Sequence, residues 1–124
     1  MEILIRNTDG TPIYAQIAAQ IRGEIISGKL GPGEALPSIR ALARGLKVSV
    51  ITTKRAYDEL EAAGFLHTVA GKGCFVAEQN LDLIRERRTG EMEQHLSAAV
   101  ETARELGLTR EDVVQTLDLL WQEP

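Results

Sequence analysis

The stretch PSIRALARGLKVSVITTKRAYDELEAAG, residues 37–64, decides the fold. Pro37-Ser38 opens a short helix over roughly residues 38 to 45, with Ile39, Leu42 and Ala43 turned inward and Gly45 closing it. Leu46-Lys47-Val48 reads as a turn, and Ser49 as the cap of a second helix that runs to about Ala63. Thr53, Ala56, Tyr57 and Leu60 recur at i, i+3, i+4 and i+7, which predicts the buried face of that helix. Lys54, Arg55 and Asp58 then point outward, and Gly64 terminates the helix.

Upstream, Asn7-Thr8-Asp9-Gly10 is a turn signal, and Thr11-Pro12 reads as an N-cap followed by proline at the first helical position. Ile13, Ile17, Ile21 and Ile25, with Tyr14 and Ala18 beside them, form one apolar helix face. Ser27-Gly28 ends it, and Leu30-Gly31-Pro32-Gly33 is a rigid connection. Downstream, Leu66–Val69 and Cys74–Val76 are short β-prone runs around Ala70-Gly71-Lys72-Gly73, a hairpin pattern. That loop is too short, and wrongly flanked, to be a nucleotide-binding P-loop.

From about Leu81 to Leu106 the spacing is helical again, with Thr89-Gly90 a place where the helix is weakened or broken. Gly107 is a natural end, and Thr109 with Asp112 is a capping box for a last helix over about residues 110 to 121, lined by Val113, Leu117 and Leu120 with Trp121 adjacent. The fold expected is mainly α with a small β-hairpin: a winged helix-turn-helix over residues 1–78, then a short helical region over residues 79–124. In such a fold one helix fits the DNA major groove, the preceding helix fixes its angle and meets phosphates, and a basic hairpin reaches the backbone or minor groove.

Composition narrows the function. The 124 residues suffice for one domain, or one small domain with an accessory element. Apolar residues make up 44% but aromatics only 4%, so the core must rest on Leu, Ile, Val and Ala. No apolar run is long enough to span a bilayer, the first residues lack signal-peptide features, and Cys74 is the single cysteine, which together point to the cytoplasm. Net charge is -4, yet the first eighty residues carry nine basic and eight acidic side chains, and the rest five and ten. No acid stands between Glu34 and Asp58, where Arg40, Arg44, Lys47, Lys54 and Arg55 lie, and binding to a polyanion depends on the local field. His67, His95 and Cys74 form neither a metal-ligand spacing nor a nucleophile–base set, so no enzyme, cofactor or metal is expected.

The stretches PIYAQIAAQIRGEIISGKLGPGEALPSIRALARGLKVSVITTKRAYDELEAAGFL and GKGCFV, within residues 12–76, closely resemble the GntR family of bacterial transcription factors. The short tail resembles the family's YtrA-type branch. The resemblance implies a DNA-contacting role for Arg40, the arginine of a P-S-x-R motif, which can pair with guanine or phosphate. Ser38 caps its helix, binds phosphate, or both. Ser49, Ile51 and Thr52 stand at the start of the recognition helix, the two hydroxyls suited to phosphate. Lys54 matches a DNA-contacting arginine of relatives, while Arg55 either contacts DNA or pairs with Glu59 at i+4. Arg44 and Lys47 are secondary phosphate contacts.

Val50 departs from the family, whose pattern has a base-reading arginine there. Valine can touch a thymine methyl or simply pack, so either the operator differs from the usual family half-site or recognition rests more on Arg40, Lys54 and DNA shape. Gly71, Lys72 and Gly73 resemble the family's wing tip, with Lys72 the contact. Cys74 replaces the usual threonine and reads as a small hydrophobic strand residue rather than a redox sensor.

Two tail helices cannot easily enclose a sizeable ligand, so a small-molecule effector is left open. Their apolar residues Leu81, Ile84, Met92, Leu96, Ala99, Ala103, Leu106 and Leu117 are expected to mediate homodimerisation; the alternative is a tail folded back on its own winged helix. The expected function is a homodimeric regulator, a repressor, binding an inverted repeat in double-stranded DNA. A winged helix used for protein contact, or a nonspecific nucleoid protein, are the competing readings.

Overall fold

A computed structural model describes residues 1–7, 10–79 and 81–122, so Thr8 and Asp9 of the expected first turn lie outside the described residues. The chain is mainly helical with one hairpin: α1 (Ile13–Ser27), α2 (Ile39–Leu46), α3 (Val50–Ala62), β1 (Leu66–Val69), β2 (Gly73–Val76), α4 (Leu81–Glu105) and α5 (Arg110–Gln122). It divides into two compact units, Met1–Leu81 and Asp82–Pro124.

The first unit is built on the predicted isoleucine stripe. Ile17, Ile21 and Ile25 of α1 are fully buried against Ala56, Tyr57 and Leu60 of α3, with Leu42 of α2, Leu66 of β1 and Val76 of β2 completing the core. Each such aliphatic side chain contributes about 1.5–3 kcal/mol on leaving water. Two helix boundaries differ from expectation. Pro12, not Thr11, occupies the cap position of α1; no side chain caps it, and the Pro12 carbonyl accepts the first helical bond from the Gln16 N–H. In α2, Gly45 does not close the helix. Leu46 extends the Ile39, Leu42, Ala43 stripe by one more position at i+7 and packs partly buried on the core, so the helix runs one residue further. Lys47 takes the left-handed position instead, at φ 58°, and the amides of Lys47 and Val48 bond back to Arg44 and Ala43.

The strands pair antiparallel with Leu66 opposite Val76 and Val69 opposite Gly73. A third segment, beyond the rigid connection read from sequence, lies along β2. Ala35 bridges Phe75, the Val76 amide donates to the Glu34 carbonyl, and the Leu36 amide donates to the Cys74 carbonyl. This docks the hairpin onto the segment leading into α2.

The N-terminal residues are held by two glutamines of α1. The Leu4 amide donates to Gln20 Oε1 (2.8 Å) and Gln20 Nε2 donates to the Leu4 carbonyl (2.7 Å). Gln16 does the same for Arg6, at 2.7 and 2.6 Å, and its Nε2 also reaches the Thr11 carbonyl at 2.9 Å. A carboxamide has the donor and acceptor of a peptide group, so each glutamine acts as one rung of a strand. The spacing fits: four helical residues rise about 6 Å, and two extended residues about 6.6 Å. Ile3 and Ile5 pack against the core from this segment.

In the second unit, α4 runs unbroken through Thr89-Gly90, with the side chains of Arg88 and Glu91 paired across that position. It ends at Glu105, and just beyond it Gly107 (φ 71°) turns the chain, with the Gly107 and Leu108 amides bonding to the Arg104 and Ala103 carbonyls. The predicted capping box is formed: the Thr109 amide donates to Asp112 Oδ2 and the Asp112 amide to Thr109 Oγ1. Among the described residues of this unit only Ala103 is buried.

Candidate nucleic-acid interface

Ser38 Oγ accepts from the Ala41 amide at 3.1 Å, so it caps α2; its own hydroxyl hydrogen stays available. Arg40 stands two residues after the cap, in the first turn of α2, and is exposed. The start of α2 is fixed from behind by Tyr57, whose phenol donates to the Pro37 carbonyl at 2.7 Å across twenty residues of sequence. Burial pushes the Tyr57 phenol far above its ordinary value, with Cys74 a smaller contributor, so the group remains a donor.

α3 begins with a side-chain lock. Ser49 Oγ accepts from the Thr52 amide (3.0 Å) and donates to Thr52 Oγ1 (2.8 Å). The Thr52 hydroxyl hydrogen is thereby left for a ligand oxygen, whereas Ser49 is occupied as cap and donor. Thr53 is fully buried and donates to the Ser49 carbonyl, as its place on the inward face predicts. Val50 and Ile51 are both exposed, Ile51 at 81%. Valine at the departure from the family pattern is therefore not packed away; it and Ile51 present an apolar tip.

The exposed cations are held differently. Lys54 Nζ sits 2.7 Å from Asp58 Oδ2, both well exposed. Such an i,i+4 pair is worth only about 0.3–0.5 kcal/mol, so a phosphate can displace the carboxylate. Arg55 turns to Tyr14 of α1 rather than to Glu59: its Cζ lies 3.7 Å from the centroid of the phenol ring and Nη2 donates to the phenol oxygen at 3.1 Å. Arg44 and Lys47 are exposed at the end of α2.

In the wing, the Lys72 amide donates to the Val69 carbonyl at 2.9 Å, closing a tight turn that needs Gly71 at φ 76°. Gly71, Lys72 and Gly73 are all exposed at its tip. Cys74 packs partly buried on the core side of β2, and burial raises its thiol pKa, which suits an inert strand residue.

The structure thus brings the α2 start, the exposed N-terminal half of α3 and the wing into one unit. Three contributors were not read from sequence. The spacing places Tyr57 on the buried face and names no partner for it, although a buried phenol demands one for its oxygen. Tyr14 and Arg55 lie 41 residues apart, and no local pattern links them. Gln16 stands on an apolar stripe, where a polar residue is itself a signal. In the tail, Leu81 packs on the core of the first unit and Ile84 is half-buried, while Met92, Leu96, Ala99, Leu106 and Leu117 are exposed. No helix among the described residues is long and apolar enough to cross a membrane.

Comparison with known proteins gives the same frame. Residues 13–76 match the family described as bacterial regulatory proteins, gntR family. The chain is 39% identical to the HTH-type transcriptional regulator YhcF of Bacillus subtilis, covering 84% of this chain and 85% of the relative. It is 31% identical to the HTH-type transcriptional repressor YtrA of the same organism, covering 88% and 84%. The solved structure of YtrA from Sulfolobus acidocaldarius, a GntR-family transcription factor, superposes with a TM-score of 0.60 at 37% identity, covering 77% of this chain and 97% of that one.

Proposed function

The chain belongs to the GntR family of bacterial regulators, in its YtrA-type branch, and we propose from that premise that it is a homodimeric repressor reading an inverted repeat in double-stranded DNA. It is a DNA-binding transcriptional regulator, not an enzyme. The observation that carries the DNA-contact reading is the exposure of α2 and the N-terminal half of α3, a stretch with no acid of its own before Asp58, where Arg40, Arg44, Lys47, Lys54, Arg55 and the Thr52 hydroxyl stand beside Ser38 and the Ser49 cap. Lys72 between Gly71 and Gly73 supplies the wing contact. Arg40 and Lys54 act as the polar readers, while Val50 and Ile51 meet thymine methyls, so the preferred half-site is richer in A·T at that position than an arginine would select.

The second unit supports dimer formation by what it leaves uncovered. Met92, Leu96 and Ala99 of α4 and Leu106 just beyond it are exposed and, with the buried Ala103, follow a four-three spacing, the seam of a helix that pairs with another. Leu117, Leu119, Leu120 and Trp121 of α5 are exposed besides, a large apolar surface for a two-helix unit to leave open without a partner. A second copy covers it most economically and sets two recognition helices one helical turn apart on DNA. Occupancy of a promoter then blocks the polymerase; the repressor named among its relatives is consistent with that direction of control. A DNA target accords with the cytoplasm.

The test is selection of bound fragments from genomic DNA by the full chain, followed by gel shifts against salt. Two-fold symmetric fragments, with affinity falling steeply as salt rises, are expected. No binding at low salt, where the phosphate attraction is strongest, would overturn the proposal. Fragments without symmetry would overturn its dimeric form, and a reporter that rises when the protein is bound would overturn repression.

A further inference from the structure

We infer that Tyr14 is a positioning residue for DNA binding: from α1 it holds the Arg55 guanidinium at the edge of the recognition helix, pre-aimed at a single backbone phosphate. The inference rests on the DNA-binding reading above and adds α1 to the interface.

The geometry is two-point. The guanidinium carbon stacks 3.7 Å from the ring centroid, and one Nη donates to the phenol oxygen at 3.1 Å. Stacking fixes the plane of the guanidinium, and the hydrogen bond fixes its rotation within that plane. One donor is used; the rest of the fork remains for a phosphate, which it matches in a bidentate manner. Tyr14 is a firm anchor because its ring is half-buried and packs against the core, while Arg55 itself is exposed. On α3, Arg55 lies opposite the buried stripe of Thr53, Ala56, Tyr57 and Leu60, on the same outward face as Ile51 one turn earlier.

A purely structural role accounts poorly for this pair. α1 and α3 are already joined through Ile17, Ile21, Ala56 and Leu60, all at or near full burial, so an exposed contact adds little to their packing. Nearby acids do not claim the guanidinium: Asp58 is taken by Lys54, and Glu59 at i+4 is passed over for the phenol. A long, flexible arginine gains most from an aromatic platform when it must reach one fixed point, since rotamer freedom is then surrendered before binding rather than during it.

The test is a double-mutant cycle on the full chain with Tyr14→Leu, Arg55→Ala and both together. The probe is a duplex enriched from a random library by the unaltered protein, titrated over a range of salt. Arg55→Ala is expected to make the slope of log affinity against log salt shallower by about one per bound copy. Tyr14→Leu is expected to weaken binding about 2- to 5-fold, the factor matching an exposed cation–π contact, and to have no effect once Arg55 is alanine. Thermal melts accompany each variant. Should Tyr14→Leu fold poorly, Tyr14→Phe keeps the ring and removes only the hydrogen bond, and it must show a smaller coupling of the same sign. An equal loss from Tyr14→Leu with and without Arg55, or an unchanged salt slope in Arg55→Ala, overturns the inference. Failure of the unaltered protein to bind any duplex at low salt overturns the DNA reading instead.

Discussion

Replacing Gln16 by leucine tests how the N-terminal segment is held. Gln16 is 9% exposed and makes three hydrogen bonds, with the Arg6 amide, the Arg6 carbonyl and the Thr11 carbonyl, at 2.7, 2.6 and 2.9 Å. Each such bond has a net worth of about 1 kcal/mol, and a backbone group left buried without a partner costs about 1–3 kcal/mol. If the segment stays in place, Arg6 loses both backbone partners; if it lets go, Ile3 and Ile5 leave the core. Better burial of leucine offsets part of either loss, so the expected change is about 2–3 kcal/mol. For a unit of this size that lowers the melting midpoint by about 10–20 °C. Gln20→Leu removes a matching pair of bonds on an exposed site, where water substitutes, and should cost under about 1 kcal/mol. Urea unfolding measures both, and amide exchange at Arg6 and Leu4 reports which rung opened. Gln16→Glu sharpens the test. A carboxylate there would face two carbonyl oxygens, so its folded pKa would be raised, and the stability it retains when protonated would be lost as pH rises through that value. The deficit against the unaltered protein should therefore grow from acid to neutral pH. Equal effects of Gln16→Leu and Gln20→Leu, or an Arg6 amide still protected in Gln16→Leu, would refute the reasoning.

Four further outcomes follow from the same geometry. Gly45→Ala should stabilise by about 0.5–1 kcal/mol, because Gly45 lies inside α2 with nothing near the added methyl; Gly64→Ala, at φ 85°, should destabilise, and urea midpoints separate the two. Lys47→Gly should relieve a left-handed lysine at φ 58°, raising stability by up to about 1 kcal/mol while lowering DNA affinity. Tyr57→Phe should cost about 1–1.5 kcal/mol and weaken DNA binding by loosening Arg40. In the unaltered protein the raised Tyr57 pKa means that its contribution is complete below about pH 10 and lost as pH climbs beyond the free phenol's value; ultraviolet titration should show that phenol ionising only as the fold is lost. Leu96→Asp should place a charge in the α4 seam and shift sedimentation to the monomer; an unchanged dimer would exclude that seam as the interface.

The helices and hairpin were legible because their determinants are local. The 3.6-residue recurrence of Ile17, Ile21 and Ile25, the Ser38 and Ser49 caps, the Thr109–Asp112 box and the glycine turns each act within a few residues, so they can be read along the chain. Where a local reading failed, tertiary packing had outweighed it. Gly45 looked like a helix end, but drawing Leu46 onto the core carried the helix past it and left Lys47 to make the turn. Gly90 looked like a break, but one glycine's cost of about 1 kcal/mol is small within a helix of 25 residues.

The sequence by itself determined the winged helix-turn-helix and the basic residues of its α2–α3 stretch and wing, including Arg40, Lys54 and Lys72, while the exposure of Val50 came from the structure. Only the tertiary structure decided how those groups are aimed. Arg55 stacks on Tyr14, Tyr57 pins Pro37, Ala35 adds to the hairpin, and Gln16 grips Arg6. Each joins residues from different elements, and hydrogen bonds and stacking act only within a few ångströms. Such partners become neighbours only after α1, α3 and the hairpin have buried their apolar faces together, so the same core that forms the fold also selects the orientation of the side chains on its surface.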